Sequence, residues 1–139
     1  AEQSWTVHQD NAYHGNSNGK TLTLNVACED TDVENGTLYL YEGTHKEGII
    51  PFVPRKSFRE DKGKDPGNTI EVPNKYLNRK VDLIMKKGDA LFLHGNCAHG
   101  SYGNKSKTRN RPLYSITYIK KGEEFLVGKN ANRIEYSLR

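Results

Sequence analysis

The feature that most constrains this chain is the spacing of its apolar residues, which alternate over short runs and nowhere follow the three-to-four-residue period of an amphipathic helix. The runs "SWTVHQ", "KTLTLNVACE", "GTLYLYEG", "NTIEV", "VDLIMKKGDALFLH" and "RPLYSITYIKK" are rich in Val, Ile, Leu, Thr and Tyr and are bounded by Gly, Asn or Asp. Leu22, Leu24 and Val26 alternate with Thr21, Thr23 and Asn25. One face of that strand is expected to meet a core, while the other presents small polar groups to a cavity or to water. Leu38 and Leu40 alternate in the same way with Thr37, Tyr39 and Tyr41. Asn35-Gly36 is a strong turn signal, and "KKGD" punctuates the run before "ALFLH". Half-buried strands following one another at this spacing predict an all-β, mainly antiparallel sandwich or barrel.

At 139 residues the chain fits one domain over 1–139, and a hydrophobic fraction of 34% leaves much of it to turns and solvated loops. The segment 55–68, "RKSFREDKGKDPGN", reads as an exposed loop, either covering one end of the barrel or inert. A net charge of +4 without a run of Lys and Arg argues against a nucleic-acid partner. No stretch approaches the roughly 18 apolar residues of a membrane span. A soluble, cytoplasmic protein is therefore expected, with Cys28 and Cys97 as free buried thiols. The sequons at Asn35 and Asn104 are then chance matches.

Chemistry enters with "SWTVHQDNAYHGN". On a strand, residues i and i+2 project from one face, so His8 and Asp10 are expected to point together while Gln9 turns away or lies along the rim. An imidazole and a carboxylate make half of a metal site. A third ligand from "GDALFLHGNCAHGS", either His94 or His99, would complete the two-histidine, one-carboxylate facial triad that holds Fe(II) and leaves its other positions open.

Four stretches, "WTVHQDNAY", "LNVACEDTDVENGTLYLYEGTHKEG", "GDALFLHGNCAHGS" and "NKSKTRNRPLYSITY", together resemble the phytanoyl-CoA dioxygenase family of Fe(II)- and 2-oxoglutarate-dependent oxygenases. The resemblance implies a double-stranded β-helix, a cupin-like jelly-roll barrel, consistent with the antiparallel strands. It implies His8, Asp10 and His99 as metal ligands, with His99 of the "HGS" triplet chosen over His94, which is left to support the ligands from outside or to pack. A permanently charged fork suits the far carboxylate of 2-oxoglutarate. The resemblance puts that role on Arg111, with Arg109 the alternative, and adds Gln9, Asn25 and Ser101 as contacts of the same co-substrate. It further implies oxidative decarboxylation of 2-oxoglutarate with dioxygen, yielding succinate and carbon dioxide, coupled to hydroxylation of a small organic substrate. Related halogenases carry a small residue in place of the carboxylate, so Asp10 favours hydroxylation. Tyr13, His14, Tyr39 and Tyr102 are candidate pocket residues for a polar or mixed ligand.

Members of the family usually carry helices and strands ahead of the dyad. The resemblance therefore implies a fragment, a minimal member, or a barrel completed as a homo-oligomer. The alternative function is a non-catalytic, cupin-like jelly-roll that binds a metal or ligand.

Overall fold

The computed structural model describes residues 4–16, 18–54, 68–128 and 133–138. The loop expected over 55–68 thus lies outside the described residues at 55–67, and Asn68 already begins a strand. The strands are β1 (Thr21–Ala27), β2 (Leu38–Tyr41), β3 (Phe52–Pro54), β4 (Asn68–Ile70), β5 (Lys80–Asp82), β6 (Ala90–His94), β7 (His99–Ser101) and β8 (Leu113–Ile119). One short helix, α1 (Asp10–His14), and 3-10 turns at Thr44–Glu47 and Asn74–Arg79 complete the described elements.

Antiparallel pairing builds two three-stranded sheets, β6-β1-β8 and β5-β2-β7, and a β3-β4 pair. In the first sheet Leu24 sits between Phe92 and Ile116, and Val26 between Ala90 and Tyr114. The amino-terminal segment extends the second sheet. His8 and His99 exchange backbone hydrogen bonds, Ser101 N donates to Trp5 O, and Ile70 N donates to Val7 O. Residues 5–8 thereby lie between β7 and β4. Side chains from both sheets enclose a cavity of about 530 Å³, with Thr23, Asn25, Leu93 and Thr117 on one side and Leu38 and His99 on the other.

The polar face of β1 turns inward: Thr21, Thr23, Asn25 and Ala27 are buried while Leu22, Leu24 and Val26 are only half-buried. Half of the expectation holds, since the small polar groups do meet a cavity. The other half does not, because the apolar face points outward beside Phe92 and Tyr114, which are 61% and 62% exposed. The physical reason lies inside, where the cavity wall can satisfy hydroxyls and amides, as Ser115 Oγ does in donating to Asn25 Oδ1 at 2.6 Å.

The Asn-Gly turn is locked from its side chain. Asn35 Oδ1 accepts from Asp32 N at 2.7 Å, and Nδ2 donates to Asp30 O and Asn110 O at 2.8 and 3.0 Å. Gly36 adopts φ 90°, and a Cβ there would fall 2.9 Å from Tyr102 O, so the turn requires glycine. Both cysteines are free, but Cys28 is exposed and only Cys97 is buried, which corrects the expectation of two buried thiols. Among the described residues no helix is long and apolar enough to cross a membrane.

Candidate metal centre

Backbone pairing brings the two histidines together. His8 N donates to His99 O at 2.9 Å and His99 N to His8 O at 3.0 Å, leaving the ring centroids 4.3 Å apart. Asp10 reaches them by a different route from the one expected. Gln9 is extended at φ -121° and ψ 130°, but the chain then turns, and Asp10 opens α1 instead of continuing a strand. Asn11 N donating to Gly95 O at 2.9 Å holds that turn against the β6–β7 connection. The carboxylate thus comes beside the imidazole through the turn into α1 and not through strand alternation.

Each imidazole is oriented by a carbonyl that can only accept. His8 Nδ1 donates to Thr6 O at 2.7 Å and His99 Nδ1 to Cys97 O at 2.9 Å, so both Nε2 lone pairs face the centre. Asp10 Oδ1 lies 3.6 Å from His8 Nε2 and 3.5 Å from His99 Nε2. Its second oxygen, Oδ2, accepts from Thr23 Oγ1 at 2.9 Å. The side chains are 12% (His8), 19% (Asp10) and 8% (His99) exposed, so the donors are desolvated but reachable from the cavity.

Burial by itself would raise the Asp10 carboxyl, yet the His8 and His99 imidazoles and the Thr23 hydroxyl outweigh it and hold Asp10 well below the usual carboxylate range. Burial pushes the His99 imidazole down, against the pull of Asp10. Two imidazole nitrogens and one carboxylate oxygen, with ligand atoms all within 4.8 Å of one another, fit a divalent transition-metal ion. Carbonyls at the far ring nitrogens and a hydroxyl on the spare carboxylate oxygen are the outer partners that fix such ligands.

The remaining sequence candidates separate. Arg111 lines the cavity and its Nε is buried without a hydrogen-bond partner, whereas Arg109 lies elsewhere. Arg109 makes a fork to Asp32, with Nη1 to Oδ2 at 2.7 Å and Nη2 to Oδ1 at 3.1 Å, and reaches Glu34 Oε2 at 2.6 Å. Asn25 lines the cavity. Gln9 is 0% exposed and spends its amide on the fold, with Nε2 donating to Gly48 O and Asn96 O and Oε1 accepting from Ile50 N. Ser101 is buried, and its Oγ accepts from Trp5 N at 3.0 Å. Neither Gln9 nor Ser101 is among the residues lining the cavity.

His94 sits away from the centre, its Nδ1 accepting from Asn96 N and its ring 5.5 Å from that of His45. Tyr13 and His14 line the cavity, but Tyr39 and Tyr102 do not. Tyr102 donates to Asp82 Oδ1 at 2.7 Å, and Lys80 Nζ stands 4.0 Å from the centre of the Tyr39 ring, in a cluster of their own. Sequence reasoning missed Thr23 as the partner of Asp10, although its place on the polar face of β1 could have suggested it. It also missed Arg133, which lines the same cavity from a stretch with no recognisable pattern.

A barrel of antiparallel strands with two histidines and an aspartate at its mouth defines a class, and solved structures show the fold to be shared. The non-heme monooxygenase ThoJ in its apo form matches with a TM-score of 0.68 at 24% identity, over 94% of this chain and 49% of that one. The epimerase SnoN, in complex with Fe3+, alpha ketoglutarate and nogalamycin RO, matches with a TM-score of 0.64 at 22% identity, over 90% of this chain and 45% of that one. The architecture is the double-stranded β-helix. Residues 1–112 match the phytanoyl-CoA dioxygenase (PhyH) family, and the chain belongs to it. It is 34% identical over 114 residues to phytanoyl-CoA dioxygenase domain-containing protein 1 of Danio rerio, covering 80% of this chain and 38% of that protein. To the phytanoyl-CoA dioxygenase of Arabidopsis thaliana it is 31% identical over 114 residues, covering 81% of this chain and 37% of the relative. The chain thus spans less than half the length of the curated relatives it matches.

Proposed function

We propose that the chain is the core of an Fe(II)- and 2-oxoglutarate-dependent dioxygenase that hydroxylates a small organic substrate. One observation carries this reading: three oriented ligand atoms converge on a cavity that also holds a guanidinium, that of Arg111, with a buried and unpaired Nε. His8, Asp10 and His99 would hold the iron, which with 2-oxoglutarate supplies dioxygen activation, with succinate and carbon dioxide as co-products.

The chain's own residues do the positioning. Arg111 takes the far carboxylate of the co-substrate by a charge-assisted fork, and the pull of burial against its charge makes that partner more valuable. Asn25, on the cavity wall, is the further polar contact available to the same ligand. Thr23 keeps Asp10 turned so that Oδ1 is the ligand oxygen. Gln9 and Ser101 act at one remove, by holding the α1 entry and the Trp5 backbone against the fold. Trp5, Tyr13, Leu38 and Leu93 exclude water from the reacting centre. Asp10 occupies the position that a halide would otherwise need, which supports hydroxylation.

Under exclusion of air, protein with Fe(II) and saturating 2-oxoglutarate is expected to show the weak visible charge-transfer band of the chelate, and Asp10→Ala to lose it. No band in the wild-type protein would sink the reading in favour of a binding-only jelly-roll. Arg111→Ala is expected to weaken 2-oxoglutarate binding at least tenfold, with Arg109→Ala within twofold of wild type. The reverse order would mean that the anchor is wrongly assigned.

A further inference from the structure

Arg133 is the one cationic side chain of the cavity that the reading above leaves without a task. It lies on a carboxy-terminal stretch that folds back over the end of α1. Leu126 N donates to His14 O at 2.7 Å, Arg133 N to Val127 O at 2.9 Å, and Arg133 Nη1 to Leu126 O at 2.9 Å. That last bond occupies a single donor of the five a guanidinium carries. Among the described residues no carboxylate pairs with Arg133, in contrast to Arg109, which is saturated by two. His14 lines the cavity beside it, and its Nδ1 is buried with no partner. Burial holds the His14 imidazole below its ordinary value, against Asp10 and together with Arg133, so His14 offers a neutral N–H.

Charge completes the argument, and it rests on the oxygenase reading. A divalent cation with Arg111 and Arg133 would stand against the Asp10 carboxylate and the two carboxylates of 2-oxoglutarate. One positive charge is then left over in a cavity whose other walls are aromatic, aliphatic, hydroxyl and amide side chains, none of which carries a compensating negative charge. The charge left over is that of Arg133, since Arg111 has its carboxylate.

We infer that Arg133, with His14 beside it, is the anion-recognising rim of the catalytic cavity, and that the substrate carries an oxyanion, a carboxylate or a phosphate monoester, on an apolar body. The apolar body rests on the walls formed by Trp5, Tyr13 and Leu38, and the oxyanion takes the Arg133 fork and the His14 N–H.

Trp5 is the single tryptophan and lines the cavity, so its emission reports occupancy without turnover. Protein loaded with Fe(II) and 2-oxoglutarate, without air, is titrated with hexanoate, hexyl phosphate and hexanamide. At least one anion is expected to bind tenfold or more tightly than hexanamide, and which one does so identifies the oxyanion. Arg133→Gln is expected to remove that preference and Arg133→Lys to keep part of it, both retaining the charge-transfer band and the wild-type far-UV circular dichroism. Anions that bind no tighter than hexanamide, or equally well to Arg133→Gln, would overturn the inference. If the wild-type band is missing, the oxygenase reading fails separately. The same titration on metal-free Arg111→Gln protein, where Arg133 alone supplies a cavity guanidinium, then decides the role of Arg133 by the same two outcomes.

Discussion

Thr23→Val is the sharpest test of how the metal centre is assembled, because it removes the hydroxyl that donates to Asp10 and almost no volume. Asp10 has two oxygens with different tasks: Oδ1 faces both imidazoles at 3.5 and 3.6 Å, and Oδ2 accepts from Thr23 Oγ1 at 2.9 Å. Thr23 is buried, and the Thr117 hydroxyl lies 3.4 Å from its own. A hydrogen bond to a charged group contributes about 1.5–3 kcal/mol. Charge donated to a bound metal weakens what Oδ2 has left to offer, so the lower end applies. That corresponds to roughly a tenfold loss of metal affinity, within the ten- to hundredfold range seen when an outer partner of a ligand is removed. The assay is titration with Co(II), followed by its visible absorption, on wild type, Thr23→Val and Thr23→Ser. Valine is expected to bind about ten times more weakly, while serine, which keeps the hydroxyl, stays near wild type. A Thr23→Val protein within twofold of wild type would refute the reasoning and show that α1 alone orients the carboxylate.

Three further outcomes follow from the packing. Gln9→Ala takes the partner from two carbonyls and one N–H, of which the Asn96 carbonyl bond is buried and the other two half-buried, at about 1–3 kcal/mol for each group left buried and unsatisfied. Its melting temperature is expected to fall by roughly 6 °C or more, and a fall under about 2 °C would show that the groups find other partners. Gly100→Ala would put a Cβ 2.6 Å from Tyr39 Oη and 2.9 Å from Trp5 O, the latter fixed by its bond from Ser101 N, so a loss of about 1–3 kcal/mol is expected in denaturant unfolding. An unchanged unfolding midpoint would contradict that contact. Burial first, and then its bond to Asp82, push the Tyr102 hydroxyl up to about 12. The folded chain thus holds this proton more tightly than the unfolded one. The stabilisation is complete below about pH 10 and is lost as pH rises towards about 12. Tyr102→Phe is expected to remove that part of the alkaline stability loss in a series of unfolding curves, and identical pH profiles would exclude it.

Alternating Thr21, Thr23 and Asn25 against Leu22, Leu24 and Val26 revealed β1 and its polar face, since a period of two is a local property of the chain. The dyad of His8 and Asp10 and the histidines His94 and His99 were equally legible as residue types able to bind a metal. Their conformation was not. Asp10 opens a helix because Asn11 pairs with Gly95, a contact across most of the chain that no local pattern encodes. Gln9 and Ser101 were expected at the ligand, and in the fold their side chains bond distant backbone groups.

What the sequence alone determined is therefore the strand content, the Asn35-Gly36 turn and a supply of metal-ligating and cationic side chains. The tertiary structure decided which of them meet. Long-range backbone pairing puts His8 against His99 and turns Arg111 into the cavity while Arg109 closes on Asp32 and Glu34 outside it. The return of the carboxy-terminal stretch brings in Arg133. The physical reason is one of range: alternation and turns follow from neighbouring residues, whereas the partner of a charged side chain follows from which distant strands share hydrogen bonds.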